Sequence, residues 1–198
     1  MRQMLTRSTH AMACAVALVT LAACGGDADG EKTSTSTSAS SASSEQTYDE
    51  DHIMTEVEKV DTAFRARDLN EGIPEDADWV TDEYRQSYNA DAAKTRDSGV
   101  VKKGETTTTA LHLDESEPDA PGGWYVTVYA CTSSTVRVYI DGEDVSADPS
   151  DPSKPLPKGS RESVMLNRYT TPDGGTSWQL DGVTPLEGKD AQDTPCEQ

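Results

Sequence analysis

The sequence predicts an α+β domain in which two N-terminal helices pack on one face of an antiparallel sheet of four or more strands. Three observations carry this. Ile53, Val57, Val60 and Phe64 recur at steps of four, three and four, which is one apolar stripe of a helix. Val80, Tyr84, Tyr88 and Ala92 repeat every four residues. From Thr107 onward the apolar period shortens to two, the signature of half-buried strands.

The ends of the first helix agree with its macrodipole, because Asp49, Glu50 and Asp51 stand at its start and Arg65 and Arg67 near its finish. A breaker from Gly72 to Pro74 separates it from the second helix, for which Asp78 is the expected cap and Gly99 the residue just past the end. Thr107, Thr109, Leu111 and Leu113 are expected to share one face of the first strand. In the second, Trp124, Val126, Val128 and Ala130 alternate with Tyr125, Thr127, Tyr129 and Cys131. Thr132 to Ser134 read as a short connection into Val136, Val138 and Ile140, giving an antiparallel hairpin that ends at Asp141-Gly142. A polar loop, Ser146 to Ser160, precedes a strand at Glu162 to Tyr169. Pro172 to Gly175 supply a turn, and Trp178 and Leu180 mark the last strand.

Upstream of this domain the chain reads as an address. Arg2 and Arg7 precede an apolar run from Ala11 to Ala23, interrupted only by Thr20, which is the charged region and short apolar core of a secretory signal. That run is too short to span a bilayer. Leu21-Ala22-Ala23-Cys24 closes it. These four residues resemble the lipobox of bacterial lipoproteins, which implies cleavage after residue 23 and lipidation of Cys24. Two or more acyl chains give stable rather than marginal membrane attachment. Thr33 to Ser44 contain only Ser, Thr and Ala and read as a flexible linker. A coil of some 20 residues reaches about 25 Å, enough to hold a folded unit clear of the headgroups. The expected organisation is therefore a signal peptide at 1–23, a lipidated N-terminus and linker at 24–47, and one domain at 48–198.

Cleavage removes two of the 17 basic residues and none of the 36 acidic ones, leaving a formal charge of −21. Phosphate neutralisation requires Lys and Arg, so this balance excludes nucleic acid as an expected partner and leaves membrane affinity to the lipid. Of the four cysteines, Cys14 falls in the signal and Cys24 in the lipobox. Cys131 and Cys196 are then expected to form one structural disulfide in an oxidising compartment, with a redox or metal role as the rival. No Cys-x-x-Cys pair, paired-histidine helix, phosphate-cradling glycine loop or Gly-x-Ser-x-Gly elbow occurs, so neither a metal nor a cofactor is expected.

In combination, the lipobox, the linker, the helix at Ile53 to Phe64, the strand ending in Cys131, the later strand with Trp178 and the terminal Cys196 resemble a known family. It is the nuclear transport factor 2-like, or SnoaL-like, fold as it occurs in secreted actinobacterial lipoproteins. The resemblance covers about the last 150 residues. It implies a curved sheet that wraps the helices into a cone with a pocket at its open end. Isomerases, cyclases and non-catalytic binding domains share that fold, so the site must decide the function. An isomerase needs a carboxylate base in an apolar pocket facing hydrogen-bond donors. Candidate polar groups are Asp61, His112, Arg137 and the tyrosines, and the pocket residues singled out are Tyr84, Tyr88, Trp124 and Tyr129. No catalytic set is discernible among them. The leading expectation is a lipid-anchored, non-catalytic domain on the outer face of the cytoplasmic membrane. It would bind an envelope protein, cell-wall polymer or small apolar ligand. The alternative is an isomerase or cyclase acting on a small apolar ligand in the cone.

Overall fold

A computed structural model describes residues 48–149 and 151–196; the expected signal peptide, lipidated Cys24 and linker fall outside them. Helix α1 spans Glu50–Ala66, and its cap is Asp49, whose carboxylate accepts from the His52 amide at 2.9 Å. The stripe Ile53, Val57, Val60 and Phe64 is buried, as its spacing predicts, and Asp61 is buried among it. Helix α2 spans Asp82–Asp97, and its cap is Thr81 rather than the expected Asp78. The cause lies on another element. Leu180 donates its amide to the Trp79 carbonyl at 2.9 Å and accepts from the Thr81 amide at 3.0 Å, holding Trp79 to Thr81 extended along a sheet edge. The helix can begin only beyond them, and Val80 becomes a core residue ahead of it.

Nine strands follow among the described residues: β1 (Val100–Lys103), β2 (Thr106–Glu117), β3 (Tyr125–Ser134), β4 (Arg137–Ile140), β5 (Glu143–Asp144), β6 (Ala147–Asp148), β7 (Asp151–Pro155), β8 (Arg161–Thr170) and β9 (Gln179–Leu186). A short helix, α3 (Gly188–Gln192), completes the order. The main sheet is antiparallel, in the order β2-β3-β8-β9. This is an α+β fold with helices against an antiparallel sheet, as predicted. The polar loop expected at Ser146 to Ser160 contains the small β6–β7 pair.

Two strand expectations are corrected. β3 and β4 do not form a hairpin: Thr132 to Ser134 continue β3, and β4 pairs with β1 instead. The reason is a shared bend. Thr135 donates its amide to the Glu105 carbonyl at 2.9 Å, and a Cβ on Gly104, at φ 110°, would lie 2.6 Å from the Thr135 carbonyl oxygen. The β2–β3 ribbon therefore kinks at Gly104 and Thr135 and continues as β1–β4. Nor do Thr107 and Thr109 share a face with Leu111 and Leu113. A bulge between Thr108 and Ala110 inverts the alternation. Thr108 faces α1, Leu111 and Leu113 pack into the core, and Thr107 and Thr109 are exposed.

The helix-facing side of the sheet carries Leu113, Val128, Asn167 and Val183 in register, and beside them Ser116, Val126, Tyr169 and Leu180. Of these, Leu113, Val126, Val128, Tyr169, Leu180 and Val183 form the main core with Phe64, Val57, Val80 and Trp178, while Ser116 at the edge is exposed. Each large apolar side chain so buried contributes about 2 kcal/mol. On the opposite side, Ala110, Cys131, Val164 and Leu186 form one row across all four strands, covered by Ala191 of α3 and by Cys196.

The turn before β9 is clamped onto the start of the domain. His52 Nε2 lies 3.0 Å from the Gly175 carbonyl, and the Tyr48 hydroxyl 2.9 Å from Thr176 Oγ1. Gly175 has φ 105°, and a Cβ there would collide with the Tyr48 ring and lie 2.7 Å from Trp124. Gly175→Ala is expected to lower stability by about 2 kcal/mol, read from urea unfolding, through strain and displaced aromatic rings.

At the far end, the Asp144 carboxylate accepts from the Ser146 amide at 3.0 Å and from Arg137 Nε at 2.5 Å. The Ser146 bonds first, then Arg137, push its pKa down from 3.8 to about 2. A depressed pKa stabilises above the ordinary aspartate range and ceases to do so as pH falls through the folded value. Amide protection over Glu143 to Ser146 is therefore expected to fall between pH 3.8 and about 2. Hydrogen exchange across that range checks it, and Asp144→Asn removes the transition.

Candidate functional site

Of the four residues singled out for a pocket, the fold brings two together. Tyr84 and Tyr88 stand one turn apart on α2, ring centroids 6.3 Å from each other, beside Phe64 of α1. They line a surface groove of about 490 Å³ between α2, the α1–α2 loop and β1, with Leu69, Ala92 and Val100 as apolar neighbours. Arg67, the residue that ends α1, organises its inner rim. Its guanidinium lies 3.6 Å from the Phe64 ring centroid and 5.1 Å from that of Tyr88, its Nε donates to the Tyr88 hydroxyl at 3.0 Å, and its Nη1 donates to the Phe64 carbonyl. Burial, opposed by Arg67, raises the Tyr84 pKa, so this phenol is a neutral hydrogen-bonding group at neutral pH.

Two asparagines hold the walls. Asn89 on α2 accepts from the Ile73 amide at 2.6 Å and donates to the Ile73 carbonyl at 2.9 Å, fastening the interhelix loop. Asn70 accepts from the Lys102 amide at 2.7 Å and donates to the Lys102 carbonyl at 2.9 Å, fastening β1. Neither asparagine was singled out from the sequence. Their signal is a contact across 16 and 32 residues, which no local pattern carries.

Trp124 and Tyr129 lie elsewhere. Trp124 packs edge-on against Trp178 at 5.2 Å and donates to Ser116 Oγ at 3.1 Å, near the Gly175 turn. Tyr129 is on the opposite face of the sheet, in register with His112 and Leu166, and its hydroxyl bonds to Asp114, which raises its pKa. Arg137 serves the β4 end, donating to the carbonyls of Pro157 at 3.0 Å and Leu156 at 3.1 Å.

Asp61 has the burial a general base would want, but its surroundings engage it. Thr108 Oγ1 donates to Asp61 Oδ2 at 2.5 Å, Arg65 Nη2 lies 3.3 Å from Oδ1, and Arg65 Nε donates to Thr108 Oγ1 at 3.1 Å. Tyr169 is buried with its hydroxyl accepting from Asn167 Nδ2 at 3.1 Å, and burial first, then the Asp61 charge, raises its pKa. The space between helices and sheet is occupied by Phe64, Tyr169 and Trp178. Among the described residues no group of three or more His, Cys, Asp or Glu is placed to hold a metal. No described helix is long and apolar enough to cross a membrane. Cys131 and Cys196 are disulfide-bonded, with Cα atoms 5.5 Å apart.

The chain matches no family model and no curated protein. Among solved structures it is similar to the intermembrane-space region of the chloroplast protein ARC6, with 16% identity over 70% of this chain and 94% of that one. The TM-score is 0.38, too low to carry an argument about fold or function.

Proposed function

We propose that this chain is a lipid-anchored extracytoplasmic domain that binds its partner or ligand at the surface rather than turning over a substrate inside the fold. The observation that carries this reading is the contrast between its interior and its surface. Inside, Asp61 is bonded to Thr108 and paired with Arg65, and aromatic side chains occupy the volume beside it. Outside, the α2–β1 groove offers two phenols over an apolar floor. Such a groove suits an envelope protein, a cell-wall polymer or a small apolar ligand, because rigid amphipathic tyrosines give contact area and hydrogen bonds at little entropic cost. The likeness in sequence pattern to the nuclear transport factor 2-like lipoproteins, and the Leu21-Ala22-Ala23-Cys24 lipobox, support the anchor and the location on the outer face of the cytoplasmic membrane.

Two measurements test the proposal. Intact mass spectrometry of the membrane-extracted protein is expected to give a chain that starts at Cys24 and carries acyl groups. An unlipidated mass starting elsewhere removes the anchor. Crosslinking on intact cells is then expected to recover a partner that Tyr84→Ala/Tyr88→Ala no longer captures, while recovery indifferent to those substitutions moves the binding surface away from this groove.

A further inference from the structure

At one edge of the main sheet, β9 is met by Trp79 to Thr81 only at Leu180. At the other edge, β2 runs beside α1 across an open groove of about 550 Å³. One wall is α1, through Asp51, Met54 and Glu58; Asp61 is at the floor; the other wall is β2 from Thr108 to Leu111. Bulges after Thr108 and after Leu113 leave Ala110 to Leu113 as a regular stretch of this edge strand. In an antiparallel pair every second residue turns its N–H and C=O away from the partner strand, so this stretch presents backbone donors and acceptors outward.

The groove is negatively charged. Asp51 and Glu58 are exposed and form no ion pair among the described residues, since Lys59, the cation next along α1, turns to Glu56 at 2.6 Å. Asp61 is 4% exposed and its Oδ1 accepts no hydrogen bond, although Arg65 stands 3.3 Å away. Asp114, Glu115 and Glu117 lie outside this groove, on the face of the sheet turned away from α1, where Asp114 accepts from Thr127 Oγ1 at 2.9 Å. An open strand edge asks for an extended backbone, and unpaired carboxylates beside it ask for cations. A second copy of this chain does not fit, because a formal charge of −19 on each copy would repel.

We infer that the α1–β2 groove docks an extended polypeptide segment bearing lysine or arginine, which adds to β2 at Ala110 to Leu113 and sets its cationic side chains against Asp51 and Glu58. This goes beyond the binding reading above by naming a second face and the class of partner it takes, and it stands whether or not Cys24 carries lipid.

Fluorescence anisotropy tests it, with the purified full-length chain in detergent micelles and fluorescein-labelled Lys-Thr-Lys-Val-Lys-Thr at low ionic strength. Saturable binding is expected, weakened about fivefold by Asp51→Asn/Glu58→Gln together. Asp119→Asn/Asp190→Asn, carboxylates outside the groove, should leave it unchanged. A peptide N-methylated at alternate residues, which cannot pair with an edge strand, should lose it. Absence of saturable binding overturns the inference. Equal weakening by both double variants, or undiminished binding of the N-methylated peptide, also overturns it, because the attraction would then be that of a uniformly acidic surface.

Discussion

Replacing Cys196 with serine is expected to destabilise the domain by about 4 kcal/mol, the chain-entropy value for a loop closed across 65 residues. For a domain of this size that corresponds to a fall in melting temperature of roughly 10 °C. The effect should exceed that of deleting a surface contact because the bond does two things. It restricts the unfolded chain, and it holds α3 and the C-terminal residues over the row Ala110, Cys131, Val164 and Leu186. Without the bridge only Ala191 and short polar contacts, such as Thr194 Oγ1 to the Ala191 carbonyl at 2.7 Å, retain the tail. Calorimetry with and without reductant checks the magnitude. Limited proteolysis should show early cleavage beyond Leu186 in the variant. An unchanged melt would mean that the tail stays docked without the bond and that the unfolded chain gains little from its loss.

Asp61→Ala is expected to cost about 3 to 5 kcal/mol, because it leaves the Arg65 guanidinium largely buried with no carboxylate. Arg65 would keep its bond to Thr108, but Thr108 would lose its acceptor on α1, loosening the contact that aligns the helix with β2. Removing both charges with Asp61→Leu/Arg65→Met should restore most of the loss, since similar volume is kept and no buried charge is left alone. Urea unfolding of Asp61→Leu, Arg65→Met and the double variant measures this coupling. If Asp61→Ala were nearly neutral, Arg65 would have found solvent, and the carboxylate would be a surface group of the α1–β2 groove instead of a structural one.

The local elements were legible wherever one side chain's periodicity decided the outcome. The α1 stripe and the alternation of Val126 and Val128 in β3 follow from burial on one face, and the strand from Glu162 to Tyr169 follows from its period of two, although it buries Val164 on one face and Asn167 and Tyr169 on the other. The expectations failed where a distant residue decided. Asp78 is a good cap by composition, yet Leu180, about 100 residues later, holds Trp79 to Thr81 extended and moves the cap to Thr81. The β3–β4 hairpin is the natural local reading, but Thr135 pairs with Glu105, 30 residues earlier, and the ribbon continues onto β1. The pocket residues follow local periodicity: the four-residue spacing of Tyr84 and Tyr88 on one helix joins them, and the alternation that separates Trp124 from Tyr129 puts those two on opposite faces of the sheet.

By itself the sequence determined the class of the domain, its two helices, the acidity of the chain and the pair of cysteines left to bridge, because these rest on composition, short-range periodicity and counting. Only the tertiary structure decided which strand edges meet, that no strand among the described residues pairs with the outer edge of β2, and that Asp61 meets Thr108. The physical reason is that backbone pairing and buried charge are settled by partners tens of residues away. Their energies depend on bulges, bends and neighbouring helices that no local window contains.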